Sequence, residues 1–107
     1  MKRIVLVTGG FDPIHSGHIE YFNSAKRFGD ELIVGLNSDE WLTRKKGKAF
    51  MPFKERKAII ESLKMVDKVV DFDDSDDTAN LVIYNIGSTL GKGDKLVSVS
   101  YTHLRAH

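Results

Sequence analysis

Two short, unbroken apolar runs constrain this chain most: Ile4 to Val7 (IVLV) and Leu32 to Leu36 (LIVGL), with a helical pattern between them. Runs without alternation fit strands buried on both faces, which is the environment inside a parallel sheet. From Ser16 or Gly17 to Phe28 the pattern changes, with Ile19, Phe22 and Ala25 recurring at helical spacing among polar neighbours and Gly29 offering a C-terminal stop. Strand, helix and strand in this order form a βαβ unit, whose crossover is right-handed and whose strands are parallel. The chain is therefore read as α/β.

The first strand exits through Thr8-Gly9-Gly10-Phe11-Asp12-Pro13-Ile14-His15-Ser16-Gly17-His18. Glycine lets backbone amides approach a ligand, and the N-terminus of the following helix adds a dipole that favours anions, so this junction suits phosphate oxygens. Gly9 and Gly10 also fit plain turn residues, Phe11 fits core packing, and Asp12 fits a cap. His15 and His18 sharpen the reading. Two imidazoles one turn apart, where a helix begins at a strand's carboxyl end, can both donate hydrogen bonds to one phosphate. The second exit, Asn37-Ser38-Asp39, faces the same rim, because ligands of such sheets gather outside the strands' carboxyl ends.

Charge and length narrow the functions further. Lys and Arg number 16 against 15 Asp and Glu, which argues against a nucleic-acid polyanion as partner, and 107 residues suffice for one core. There is no cysteine, hence neither a disulfide nor a Cys-based zinc site. The opening apolar run is too short for a signal peptide or a membrane span, so the expectation is a cytoplasmic protein with no membrane partner.

Beyond the second strand, Asp39 is read as capping a short helix that carries Trp41 and Leu42; Trp41 fits packing or lid contact, with nucleotide stacking as the alternative. Thr43 to Lys48 (TRKKGK) reads either as a solvated basic loop or as a mobile lid over phosphates. Met51-Pro52-Phe53 opens a helix with Phe53, Ile60 and Leu63 on one face, widened by Ile59. Arg56 falls on or beside that face and needs a partner, because an unpaired buried charge is costly. Val66 to Phe72 holds a third strand, and the following Asp-rich run is read as a solvated loop, lacking the spacing and central glycine of a calcium loop. Thr78 to Ile86 suits a helix capped from Asp77-Thr78, with Leu81, Val82 and Tyr84 to Ile86 facing inward. Leu96 to Tyr101 alternates like a strand.

The residues Gly9 to His18 resemble the signature of the nucleotidyltransferases related to class I aminoacyl-tRNA synthetases. With residues 25 to 40, Pro52 to Ile60 and Val66-Asp67, the chain resembles the cytidylyltransferase-like branch, which includes glycerol-3-phosphate cytidylyltransferase and the nucleotidyl-transferring domain of ADP-heptose synthase. The likeness is specific through about Asp73. It implies a Rossmann-like three-layer sandwich of the HxGH type, with a mostly parallel sheet, incomplete towards the C-terminus: a domain over residues 1–95 and an atypical tail over 96–107. The distal Arg-Thr-x-Gly-Ile-Ser-Thr-Thr-like motif has no counterpart, and His103 and His107 read as tail residues.

The implied reaction transfers a nucleotidyl group, CMP from CTP first and AMP from ATP as the alternative, to a phosphorylated small alcohol or sugar, releasing pyrophosphate. A catalytically impaired nucleotide-binding module stays open, because the distal motif is missing. His15 and His18 would donate to phosphate oxygens. The resemblance places a lysine of the basic loop on the triphosphate, Lys46 first with Lys45 and Lys48 as rivals, and gives Arg56 a phosphate, with a structural carboxylate as the other partner. Thr8, Gly9, Gly10, Phe11 and Asp12 would line the nucleotide, with the amides of Gly9 to Phe11 as floor. Asp94 of Gly91-Lys92-Gly93-Asp94 reads either as a nucleotide contact or as a turn aspartate. Mg2+ would accompany the triphosphate, and the family implies pairing as homodimers.

Overall fold

The chain alternates strands and helices: β1 (Arg3–Gly9), α1 (Ser16–Lys26), β2 (Glu31–Leu36), α2 (Asp39–Lys46), α3 (Phe53–Glu61), β3 (Lys68–Asp71), α4 (Asn80–Gly87) and β4 (Lys95–Ser98). The structure, a computed structural model, describes residues 1–100. The four strands form one parallel sheet in the order β3-β2-β1-β4. Ile4 lies opposite Glu31 and Gly9 opposite Leu36, while Arg3 pairs with Lys95 and Leu6 with Ser98. The chain thus steps outward from β1 to β3 and then returns to the far side of β1. That reversal puts a crevice at the carboxyl ends of β1 and β4, where open α/β sheets take their ligands.

Alternation along buried strands explains why the sequence runs are unbroken. Val5, Val7, Leu32, Val34 and Leu36 face one side and pack with Phe22 and Ala25 of α1 and Ile60 of α3. Ile4, Leu6 and Ile33 face the other side and meet Val82 and Ile86 of α4. Phe22 and Ile60 are wholly buried, each favouring the fold by about 1.5–3 kcal/mol relative to exposure. Among the described residues, no helix is long and apolar enough to cross a membrane.

Three expectations change. The basic run is not a loop: Thr43 to Lys46 complete α2, and Gly47, at φ 90°, closes it in the left-handed conformation that glycine adopts freely. The cap of α2 is Ser38, whose Oγ accepts the Trp41 N–H at 3.1 Å, and not Asp39. In α4 only Val82 and Ile86 turn inward; Leu81, Ile83 and Tyr84 are exposed, and the cap position is Ala79, without a side-chain cap. An eight-residue helix touching the sheet along one i, i+4 line has room for just those two.

Leu96 to Ser98, assigned to the tail by sequence, pair with Ile4 to Leu6 as β4. The end of the expected strand at Tyr101, together with His103 and His107, lies outside the described residues.

Candidate active site at the carboxyl rim

Helix α1 is capped by the two histidines themselves. His15 is the N-cap residue; its Nδ1 accepts the Gly17 N–H at 3.0 Å, and its own N–H donates to His18 Nδ1 at 3.2 Å. This reciprocal arrangement is a capping box made with imidazoles in place of the usual hydroxyl and carboxylate. The rings stack with centroids 3.9 Å apart, and the His18 ring stands edge-on to Phe11 at 5.1 Å. Burial, aided by neighbouring His15, pulls the His18 pKa down to about 4, so the ring is neutral at neutral pH. With each Nδ1 occupied as an acceptor, a neutral ring carries its proton on Nε2. Two Nε2–H donors therefore belong to a helix N-terminus, where the dipole favours anions.

Before them, the turn packs tightly against α2. A Cβ on Gly10 would come within 2.6 Å of Leu42 Cδ2, so a side chain there would require that methyl group of α2 to shift. Phe11 is buried and takes a left-handed φ of 49°. Thr8 and Gly9 line a hollow of about 190 Å³ on the α4 side of the rim, with Asn37, Trp41, Phe72 and Thr78.

Asp12 is a latch. Its carboxylate accepts the N–H groups of Phe50 at 2.7 Å and Met51 at 2.6 Å, and it pairs with Lys46 Nζ at 3.0 Å. Burial opposes its ionisation, but the Phe50 amide, Lys46 and the Met51 amide outweigh that and hold the carboxyl below the usual carboxylate range. Lys46 also donates to the Asp12 carbonyl. The lysine expected on a triphosphate thus rests on the turn that would hold it. Lys45 lies over the Trp41 ring and Lys48 over that of Phe50, at 5.5 and 5.4 Å from the ring centroids.

Arg56 is wholly buried beneath the rim. Its Nη1 donates to the carbonyls of Gly10 and Asn37, both at 2.8 Å; Nε donates to the Met51 carbonyl at 2.9 Å; and Nη2 meets Asp39 Oδ1 at 2.6 Å. Four donors are committed inside the protein. Of the two partners the sequence left open, a carboxylate is the one the structure pairs with Arg56, and the guanidinium is closed off from a phosphate in this conformation.

Sequence reasoning missed Asp74. Read as part of a solvated acidic loop, it is buried and accepts from Asn37 Nδ2 at 3.0 Å, Ser38 N–H at 2.8 Å and Ser38 Oγ at 2.8 Å. Burial works against its ionised form, and the donors of Ser38 and Asn37 prevail, lowering its pKa. An acid-rich run beside a polar strand exit was the available signal. Among the described residues, no group of three or more His, Cys, Asp or Glu could hold a metal ion.

Asp94 is corrected. It stands just before β4, at the amino rim, where it accepts the Lys2 N–H at 2.8 Å and the Gly91 N–H at 3.0 Å. Those amides hold its carboxyl below the usual range. It is the turn aspartate, at the opposite end of the sheet from His15 and His18.

Comparisons with known proteins agree with this geometry. A family model described as cytidylyltransferase-like matches residues 6–99. The bifunctional protein HldE of Campylobacter jejuni subsp. jejuni is 43% identical over 102 residues, covering 90% of this chain and 22% of that protein. HldE of Sulfurimonas denitrificans is 45% identical over 75 residues, covering 68% and 16%. The chain therefore spans about a fifth or less of the length of these curated relatives. The crystal structure of a lipopolysaccharide core biosynthesis protein from Thermoplasma volcanium GSS1 superposes with a TM-score of 0.71 at 25% identity, covering 94% of this chain and 96% of that one.

Proposed function

Since the chain belongs to the cytidylyltransferase-like family, we propose that it transfers a nucleotidyl group from a nucleoside triphosphate to a phosphorylated sugar or small alcohol, releasing pyrophosphate. The carrying observation is the histidine capping box, which ties both Nδ1 atoms to backbone amides at the start of α1 and so puts each neutral ring's proton on Nε2. The acceptor phosphate oxygen attacks the α-phosphorus, the bond to the β-phosphate bridging oxygen breaks, and pyrophosphate leaves. No covalent enzyme intermediate is required. The protein's task is to hold two anions in line and to stabilise charge that grows on the α-phosphate.

His15 and His18 serve this as donors, His18 remaining unprotonated through the physiological range. The amides of Gly9 to Phe11 form the floor. Lys46, held by Asp12 without ligand, is drawn towards the triphosphate when that stronger anion arrives. Magnesium accompanying the triphosphate would supply positive charge to offset that of the phosphates.

The family description supports CTP as donor. The similarity to HldE, with the resemblance to the nucleotidyl-transferring domain of ADP-heptose synthase, supports ATP as the second reading. The structural likeness to a lipopolysaccharide core biosynthesis protein supports a sugar phosphate as acceptor. Pyrophosphate release from CTP and from ATP, each offered with sugar and polyol phosphates, tests the proposal. Turnover that His18→Ala abolishes supports it. Stabilisation by nucleotide without any turnover points instead to a binding module.

A further inference from the structure

We propose that Arg56 is a positioning residue that sets the phosphate-facing amide of the glycine turn without itself touching phosphate. Its guanidinium takes backbone carbonyls from three separate segments, Gly10 after β1, Asn37 after β2 and Met51 before α3, and is anchored by Asp39 at the start of α2. In a trans peptide the carbonyl of one residue and the N–H of the next point in opposite directions. Pinning the Asn37 carbonyl inward therefore turns the Ser38 N–H outward, and that N–H is found on Asp74 at 2.8 Å. The same rule applies one loop away. With the Gly10 carbonyl held on Nη1, the Phe11 N–H faces away from the guanidinium, towards the rim where α1 begins.

Phe11 needs such a constraint, because its φ of 49° is a conformation that a side-chain-bearing residue seldom adopts unless its surroundings impose it. Arg56 supplies the constraint from below and Phe11's ring, buried against Phe22 and His18, supplies it from the side. The cation is itself sealed from solvent and shares one carboxylate that is half exposed.

This inference rests on the reading of the turn as a phosphate floor, and the experiment separates the two. Amide spectra of the ¹⁵N-labelled full chain are recorded for wild type and Arg56→Lys, first alone and then with inorganic pyrophosphate. A single ammonium nitrogen lacks the planar fork whose three nitrogens hold these groups at their present spacing, so the Phe11 and Ser38 amides are expected to move in ligand-free Arg56→Lys while amides of the amino rim, such as Asp30 and Lys95, stay in place. The Phe11 response to pyrophosphate should then be lost, and kcat should fall about 100-fold if turnover is present, the scale of a misplaced reacting group. If ligand-free Phe11 and Ser38 keep their wild-type shifts and only the pyrophosphate affinity falls, Arg56 is a phosphate ligand and the proposal is overturned. Should Arg56→Lys fail to fold, Asp39→Asn removes only the anionic anchor and must still move the Phe11 amide; an unmoved amide overturns the proposal equally. A wild-type Phe11 amide indifferent to pyrophosphate overturns the phosphate-floor reading, and the ligand-free comparison still decides whether Arg56 sets the turn.

Discussion

The two rims of the sheet use charge differently. At the carboxyl rim the side chains of Arg56, Asp12 and Asp74 are withdrawn from water, and each makes three or four polar contacts, most of them with groups far away in sequence. At the amino rim the charges are more exposed and act mostly in pairs, Lys2 with Glu31 and Lys26 with Asp67. A buried group with satisfied donors and acceptors fixes its neighbours' backbone, whereas an exposed pair gains little because water competes for it. The difference locates the end of the molecule where loop geometry is specified.

The harshest way to break this contrast is Arg56→Ala. Removing the guanidinium strands three carbonyls and an acidic partner, and the loss of stability should be about 3–5 kcal/mol. The amino-rim counterpart, Lys26→Gln, should cost about 1 kcal/mol or less. Urea unfolding followed by circular dichroism measures both, and equal costs would mean that the two rims are not built differently. Next in size is His18→Ala, which should lower turnover by about 10²–10³-fold through loss of one donor to the developing charge. Its ligand-free fold should survive, since His18 is only half-buried.

Acid separates the groups by pH window. The His18 pKa is lower in the folded chain than its ordinary 6.5, so the unfolded chain binds the extra proton first. Stability is complete above pH 6.5 and declines as pH falls from there to about 4. Asp12 and Asp74 are likewise lowered from the ordinary carboxylate value of 3.8. Their contribution is present above that value and is lost as pH drops below it. Denaturation midpoints across pH 3 to 7 should thus fall in two stages in the wild type. His18→Gln should remove the upper stage alone, and Asp12→Asn should weaken the lower one, at a cost of about 1–3 kcal/mol at neutral pH from a poorer acceptor for the Phe50 and Met51 amides and the lost ion pair with Lys46. A single stage unaffected by His18→Gln would contradict the burial of that ring.

How far the sequence reveals this molecule depends on which atoms interact. The β1-α1-β2 unit is legible because burial on both faces of a strand leaves an unbroken apolar run, and a helix leaves a 3.6-residue period. The histidine pair is legible because both partners are side chains within one turn. The latches are not, because Arg56 and Asp12 bind mainly backbone groups, and those of Asp12 lie 38 and 39 residues away. No residue type marks a carbonyl that tertiary structure will bring near. Helix α4 defeats the pattern for another reason: Leu81 to Tyr84 are apolar all round, so nothing in the sequence indicates which side meets the sheet.

Asp94 gives the smallest expected effect and a sharp test of the contrast between rims. A glycine-aspartate pair resembles a segment that follows a strand, yet here it precedes β4, and parallel pairing with Arg3 puts it at the amino ends of the strands. Of its two amide partners, Gly91 closes a local turn and Lys2 ties that turn to the residue before β1. Asp94→Asn keeps an oxygen for only one of those amides and loosens the turn, but the turn lies at the rim away from His15 and His18, so turnover and the Michaelis constant for nucleotide should match the wild type. A selective rise in that constant, with the melting temperature unchanged, would require the nucleotide to reach the amino rim. The sheet would then carry chemistry at both ends, and the exposed pairs around Lys2 would need to be read as binding groups.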